Sequence, residues 1–261
     1  MEWNFETAAP VSAKVGLPAG RVDLRPRPVG GISVTLEPID GGRRTEEAIA
    51  AAKVTFEVPV VRVEIPNHLA RRTQILCVLE MPEGSSATIR TASADIACDG
   101  TLASADIATA SGDVSLGDVT GDLTVASASG DLVCRNVGGE LQVKGASSDV
   151  SAGRVEGPVR IALASGDVVI GDAAGHARIR TASGDVRLDM VHEGEITADS
   201  ASGDVVIGVA NGVGAHLDVT TVSGESRCTL PFEDGTGTAL LSIRCRTLSG
   251  DVVIRSAAAV A

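Results

Sequence analysis

The sequence predicts an all-β fold, a single-chain β-solenoid of about 18 residues per coil with one short capping helix near the N-terminus. Three observations predict it. A Ser-Gly-Asp-Val-like tetrad recurs nine times, and its acidic position reads Asp95, Asp113, Asp131, Asp149, Asp167 and Asp185 at a step of about 18. The step then lengthens through Asp204, Glu225 and Asp251. Two short stretches of alternating apolar residues follow each tetrad at fixed phase, the period of two expected of half-buried strands. A fixed period near 18 marks a solenoid, in which one coil cannot bury its apolar face without its neighbours. Handedness is expected to be right-handed, from the chirality of β crossovers.

From the N-terminus, residues 1–84 lack the strict tetrad but hold β-like segments at Val11 to Leu17, Arg21 to Leu24, Ile32 to Leu36, Val54 to Ile65 and Gln74 to Leu79. Arg43 to Lys53, with Thr45 as N-cap and Glu46 and Glu47 in the first turn, reads as a helix. This region is expected to cap the solenoid, because an open coil presents unpaired N–H and C=O groups.

Residues 85–256 form the regular repeat. After each Asp comes a strand such as Val168-Val169-Ile170, then a turn carrying Gly121, Gly139, Gly157 or Gly175, then a second strand such as Val159-Arg160-Ile161. The recurring glycines suggest positive φ or close approach between coils. Ala110, Ala128, Ala146, Ala164 and Ala182, just before the tetrad Ser, are expected to tuck inward. The coil beginning at Ser223 swells to about 26 residues through Pro231 to Gly237, which reads as a protruding loop, and residues 257–261 read as a tail.

Composition narrows the function. A formal charge of −12 and a pI of about 4.7 set the chain against phosphate backbones and anionic lipid surfaces, so neither nucleic acid nor membrane is an expected partner. Met1 to Glu6 shows no basic region followed by an apolar run, and the expected localisation is cytoplasmic. The five cysteines contain no Cys-x-x-Cys pair. Cys98, Cys134 and Cys228 share the phase where Leu116, Ile170 and Ile254 stand in other coils, so they read as small buried hydrophobes.

The stacked carboxylates Asp113, Asp131, Asp149, Asp167 and Asp185 are the candidate metal column. The favoured reading is structural, each carboxylate accepting an N–H in its own turn, because such a bond offsets the repulsion between neighbours without a cation. His68, His176, His192 and His216 lie at unrelated phases, and the tetrad Ser has no paired His. No catalytic residue and no cofactor is therefore assigned. Candidate partner-binding residues are Arg160, Arg178, Arg180 and Arg187 on the wet strand faces and Phe232 in the long loop.

The tetrads at Ser111, Ser165, Ser183 and Ser202, with their Ala-rich corners, resemble the bacterial "putative adhesin" β-strand-repeat family, domain of unknown function 4097, and actinobacterial members look most similar. Phe5-Glu6-Thr7 and the closing Arg246 to Arg255 resemble that family's edges. The resemblance implies a β-solenoid with no defined catalytic residues. The expected function is a non-enzymatic scaffold for protein–protein interaction or assembly, through an unknown protein partner or self-association. The alternatives are a polysaccharide-acting or polysaccharide-binding β-helix, a cytoskeletal-type filament, and an acidic DNA mimic.

Overall fold

The computed structural model describes residues 1–28, 30–66, 73–230 and 241–257. Phe232, a candidate partner-binding residue, and His68 lie outside the described residues. The chain is an all-β solenoid with one helix among the described residues, and it divides into two compact units, Met1–Arg135 and Asn136–Ala261. Among the described residues no helix is long and apolar enough to cross a membrane.

The first unit holds β1 (Glu2–Phe5), β2 (Ser12–Arg27), β3 (Ile32–Pro38), α1 (Arg43–Ala50), β4 (Lys53–Glu57), β5 (Val60–Glu64), β6 (Ile75–Pro82), β7 (Ser86–Leu102), β8 (Ser104–Thr109), β9 (Val114–Val119) and β10 (Leu123–Ser127). Two long strands organise it. β2 and β7 run parallel over both halves, Ser12 opposite Ser86 and Val22 opposite Ile96. β8 then pairs with the first half of β7 and β9 with the second, Ile89 opposite Ile107 and Ile96 opposite Val114, each a step of 18 residues. Alternate residues of these strands, among them Val15, Leu17, Val22, Ile89, Ile96 and Ile107, are buried and form the core.

At the N-terminal end the parallel ladders give way to antiparallel ones. β5 and β6 pair with β2, and then β4 pairs with β5, β3 with β6 and β1 with β3, all three antiparallel. Antiparallel strands need no crossover coil, so they can cover both edges of the stack within a short length of chain. The rings of Phe5 on β1 and Phe56 on β4 lie 5.6 Å apart, and α1 buries Thr45, Ala48 and Ile49. The helix starts where the sequence places it but ends at Ala50, with Lys53 already in β4, and Gly42 rather than Thr45 is its N-cap. Thr45 lies one turn in and is fully buried, and its hydroxyl donates to Asp40 Oδ2 at 3.0 Å. Asp40 Oδ1 in turn accepts the Gly42 N–H. The Gly42 N–H first, and the Thr45 hydroxyl second, hold the Asp40 carboxyl below its ordinary range.

β11 (Leu132–Val137) leads into the second unit, which holds β12 (Leu141–Ser147), β13 (Val150–Val155), β14 (Val159–Ser165), β15 (Val168–Ala173), β16 (Ala177–Ser183), β17 (Val186–Val191), β18 (Gly194–Ser202), β19 (Val205–Val209), β20 (Ala215–Ser223), β21 (Ser226–Cys228), β22 (Leu241–Ser249) and β23 (Val252–Ser256). Even-numbered strands stack in parallel, Leu141 opposite Val159 and Val159 opposite Ala177. Odd-numbered strands do the same, with Val150, Val168, Val186 and Val205 in one row.

The final coils depart from sequence order. β22 pairs with β18 on one side and β20 on the other, Ile243 lying between Ile196 and Leu217. β23 likewise lies between β19 and β21. The long step after Ser223 therefore marks a chain that passes over one position in the stack and returns to fill it. The apolar contents explain the choice. Leu241, Ile243, Cys245, Val252 and Ile254 are buried on both sides, whereas β20 and β21 offer Ser226 and Cys228 in place of Val252 and Ile254 and take the outer position.

The alanines before the tetrad Ser do not point inward. Ala110, Ala128, Ala146, Ala164 and Ala182 are exposed, and Thr109, Ser127, Leu163 and Thr181, one residue earlier, are buried. The strand's alternation simply continues to the corner. A buried hydroxyl there has a use: Thr109 Oγ1 accepts the Gly112 N–H at 2.9 Å and Ser127 Oγ accepts the Gly130 N–H at 2.7 Å.

Candidate functional site

Each tetrad sits at the corner joining an even-numbered to an odd-numbered strand in the second unit. Its N–H groups alternate in direction. The Gly184 N–H donates to Ser202 O and the Val186 N–H to Asp204 O, both on the next coil. The Asp185 N–H between them points back to the preceding coil, where Asp167 Oδ1 accepts it at 2.8 Å.

Asp149 accepts from Asp167, Asp185 from Asp204, Asp204 from Asp251, and Asp251 from the Glu225 N–H, all at 2.8 or 2.9 Å. In the first unit Asp95 accepts from Asp113, and Asp113 from Asp131, both at 3.1 Å. The expected turn-internal bond is thus replaced by a bond between coils, and the side chain supplies a ladder acceptor where the corner needs one. Among the described residues no three His, Cys, Asp or Glu side chains are grouped to hold a metal ion.

This gives an expected result at Asp185. Asp185→Ala removes the acceptor of the Asp204 N–H and lowers stability by about 1 kcal/mol. Asp185→Asn keeps an oxygen acceptor and relieves repulsion between carboxylates about 4.8 Å apart, so it changes stability by less than about 0.5 kcal/mol. Denaturant titration of the two variants checks the difference.

The arginines make a second feature. Arg160 on β14 and Arg178 and Arg180 on β16 face outward on one side of the even-numbered stack. Arg244 and Arg246 on β22 join them, because β22 lies beside β18. The five line a shallow depression of about 350 Å³ with Ala177, Glu195, Thr197 and Asp199. Arg187 does not belong to the group: it is on β17, in the odd-numbered stack, with its Nε 2.6 Å from Asp189 Oδ1.

Three of the five arginines have acidic partners. Arg160 pairs with Glu140, Arg180 Nε lies 3.5 Å from Asp199 Oδ2, and Arg244 Nε lies 3.1 Å from Asp218 Oδ2. Arg244 also lies 3.8 Å from Glu195. Arg178 and Arg246 form no ion pair with the described residues. Exposed pairs of this kind are worth about 0 to 1 kcal/mol, so the guanidinium groups can be recruited by an incoming anion.

Two histidines serve local structure. His176 Nδ1 accepts the Glu195 N–H at 2.9 Å, and His192 Nε2 lies 2.8 Å from Asp172 Oδ1, a carboxylate that also binds Arg154. Four thiols are inert: burial pushes Cys77, Cys134 and Cys245 up to about 12 and Cys98 up to about 11. Cys228 is exposed, against the buried position its phase suggested, because it lies on the outer coil. A thiol reagent at pH 8 is therefore expected to label one cysteine per native chain, Cys228, and all five after unfolding.

The comparisons agree with this architecture. Residues 135–255 match the family model described as Toastrack DUF4097. A crystal structure of a "putative adhesin" from Parabacteroides merdae ATCC 43184 is similar at a TM-score of 0.54 and 10% identity, over 98% of this chain and 95% of that one. Another "putative adhesin", from Parabacteroides distasonis ATCC 8503, has a TM-score of 0.52 and 10% identity, over 97% and 96%. At these identities the likeness is one of fold. No curated protein matches the chain. Residues 135–255, which carry the stacked tetrads of the second unit, are thus similar to the Toastrack DUF4097 family over that stretch of the chain.

Proposed function

We propose that the chain works without catalysis, as a β-solenoid scaffold that binds another protein through its outward strand faces. A non-catalytic binding role is supported by the fold it shares with structures named "putative adhesin". The observation that carries the protein-binding reading is the group of five arginines on one face of a chain whose formal charge is −12. Acidic residues dominate the surface elsewhere, and a local reversal of sign is a recognition feature. The alternative of a glycan partner has less support, since the described residues of the second unit contain no Phe, Tyr or Trp on which a sugar ring could stack.

Affinity isolation from the native cell, followed by mass measurement of the complex, tests the reading. The expected result is a protein retained in fixed stoichiometry. Turnover of an acidic glycan by the purified chain, or the absence of any retained protein, would contradict it.

A further inference from the structure

We propose that the outward face of β14, β16, β18 and β22 docks an extended polypeptide segment rich in glutamate or aspartate, with Arg178 and Arg246 as its carboxylate anchors. The proposal rests on the protein-binding reading above and names the chemistry of the partner.

Three observations carry it. Charge is concentrated here: residues 136–261 contain ten Lys and Arg, and five of them line this one depression. The guanidinium groups also stand on a grid fixed by strand register. Arg178 lies opposite Thr197, which lies opposite Arg244, while Arg180 lies opposite Asp199, which lies opposite Arg246. Two arginines two residues apart on one strand are separated by about 6.8 Å, and the two pairs stand about 9.6 Å apart across β18. An extended peptide lying along the strands presents every second side chain at that same step of about 6.8 Å. Acidic residues at alternate positions therefore meet the arginines in register, and the forked guanidinium favours bidentate carboxylate contact.

The acidic neighbours supply the third observation. Glu140, Asp199, Asp218 and Glu195 hold Arg160, Arg180 and Arg244 in place, which leaves Arg178 and Arg246 for the ligand. A uniform polyanion would bring a charge against these carboxylates wherever they stand. A segment with carboxylates only at alternate positions brings fewer, and the one it still faces beside Arg246 is Asp199. Nucleic acid is further disfavoured because no Phe, Tyr or Trp among the described residues of the second unit can stack a base. Asp199 is the counterweight at the centre, and its Oδ1 is buried without a hydrogen-bond donor. Neutralising it should strengthen the site.

The test is anisotropy titration of the full chain with a fluorescein-labelled peptide of five Glu-Thr repeats. Single-stranded DNA and heparin serve as the competing polyanions. The expected result is saturable binding of the peptide that weakens with salt, falls at least tenfold in the Arg178→Glu/Arg246→Glu chain, and tightens several-fold in Asp199→Asn. Both arginines are exposed, so the double variant should melt with the parent. No binding of the peptide, equal binding by the double variant, or tighter binding of DNA or heparin would overturn the site.

Native-cell isolation repeated with the double variant separates the two claims. Loss of the partner supports the site. A partner still retained overturns the site and leaves the scaffold reading standing, whereas no partner with either chain overturns the reading itself.

Discussion

Gly184→Val should lower the melting temperature of the second unit by roughly 10 °C. A Cβ at Gly184 would lie 2.1 Å from the carbonyl oxygen of Gly166 on the preceding coil, and the φ of +146° is one that side chains rarely adopt. The cost combines about 1 to 3 kcal/mol for the backbone conformation with about 1 to 3 kcal/mol for forced overpacking. At roughly 2 to 4 °C per kcal/mol for a protein of this size, the shift is easily read by circular dichroism. Ala182→Val, two residues away and exposed, should melt with the parent. A Gly184→Val chain that also melts with the parent would mean that the corners of adjacent coils do not approach so closely.

Ile243→Ala should cost about 3 to 4 kcal/mol, within the range for emptying a buried aliphatic position. Ile243 is fully buried between Ile196 and Leu217. The same truncation at Leu217, half-buried on the outer coil, should cost about 1 kcal/mol. The order of the two effects follows from which coil is covered on both sides. Denaturant unfolding of the two variants reads it, and equal losses would place both residues in equivalent surroundings.

The phase of the repeat was fully legible in the sequence, since the tetrads, the alternating strands and the outward Arg160, Arg178 and Arg180 fall where the period of 18 puts them. What the pattern leaves open is which coil is the neighbour of which. A period in sequence specifies the inward residues of each coil, but the position of a coil in the stack follows from comparing whole coils for apolar content. Arg244 and Arg246 were missed for this reason. They lie five and three residues before Ser249, the spacing of Arg178 and Arg180 before Ser183, so their phase was the available signal.

Three local readings failed on competing rules. The corner alanines fit a tight turn by size, but strand alternation placed the preceding residue inward instead. The Asp carboxylates fit a turn-internal bond by residue type, yet the N–H groups of a parallel stack point up and down it, so the acceptor was needed on the neighbouring coil. At the N-terminus, Thr45 has the composition of a cap, but its burial against Asp40 and Gln74 fixes it inside the helix.

The arginine face and the covered position of Ile243 both depend on the last coil lying beneath the one that precedes it in sequence. Paired cysteines in a Cys228→Ser background test this most directly. Thr197 and Arg244 are opposite each other on adjacent strands, at a separation of about 4.8 Å that a disulfide can bridge. Thr197 and Asp218 lie two strands apart, each opposite Arg244, at about 9.6 Å, beyond that reach. Under mild oxidation the Thr197→Cys/Arg244→Cys chain should close an intramolecular disulfide while the Thr197→Cys/Asp218→Cys chain stays reduced. The reverse pattern, a 197–218 bridge with 197–244 open, would show coils stacked in sequence order and contradict the account.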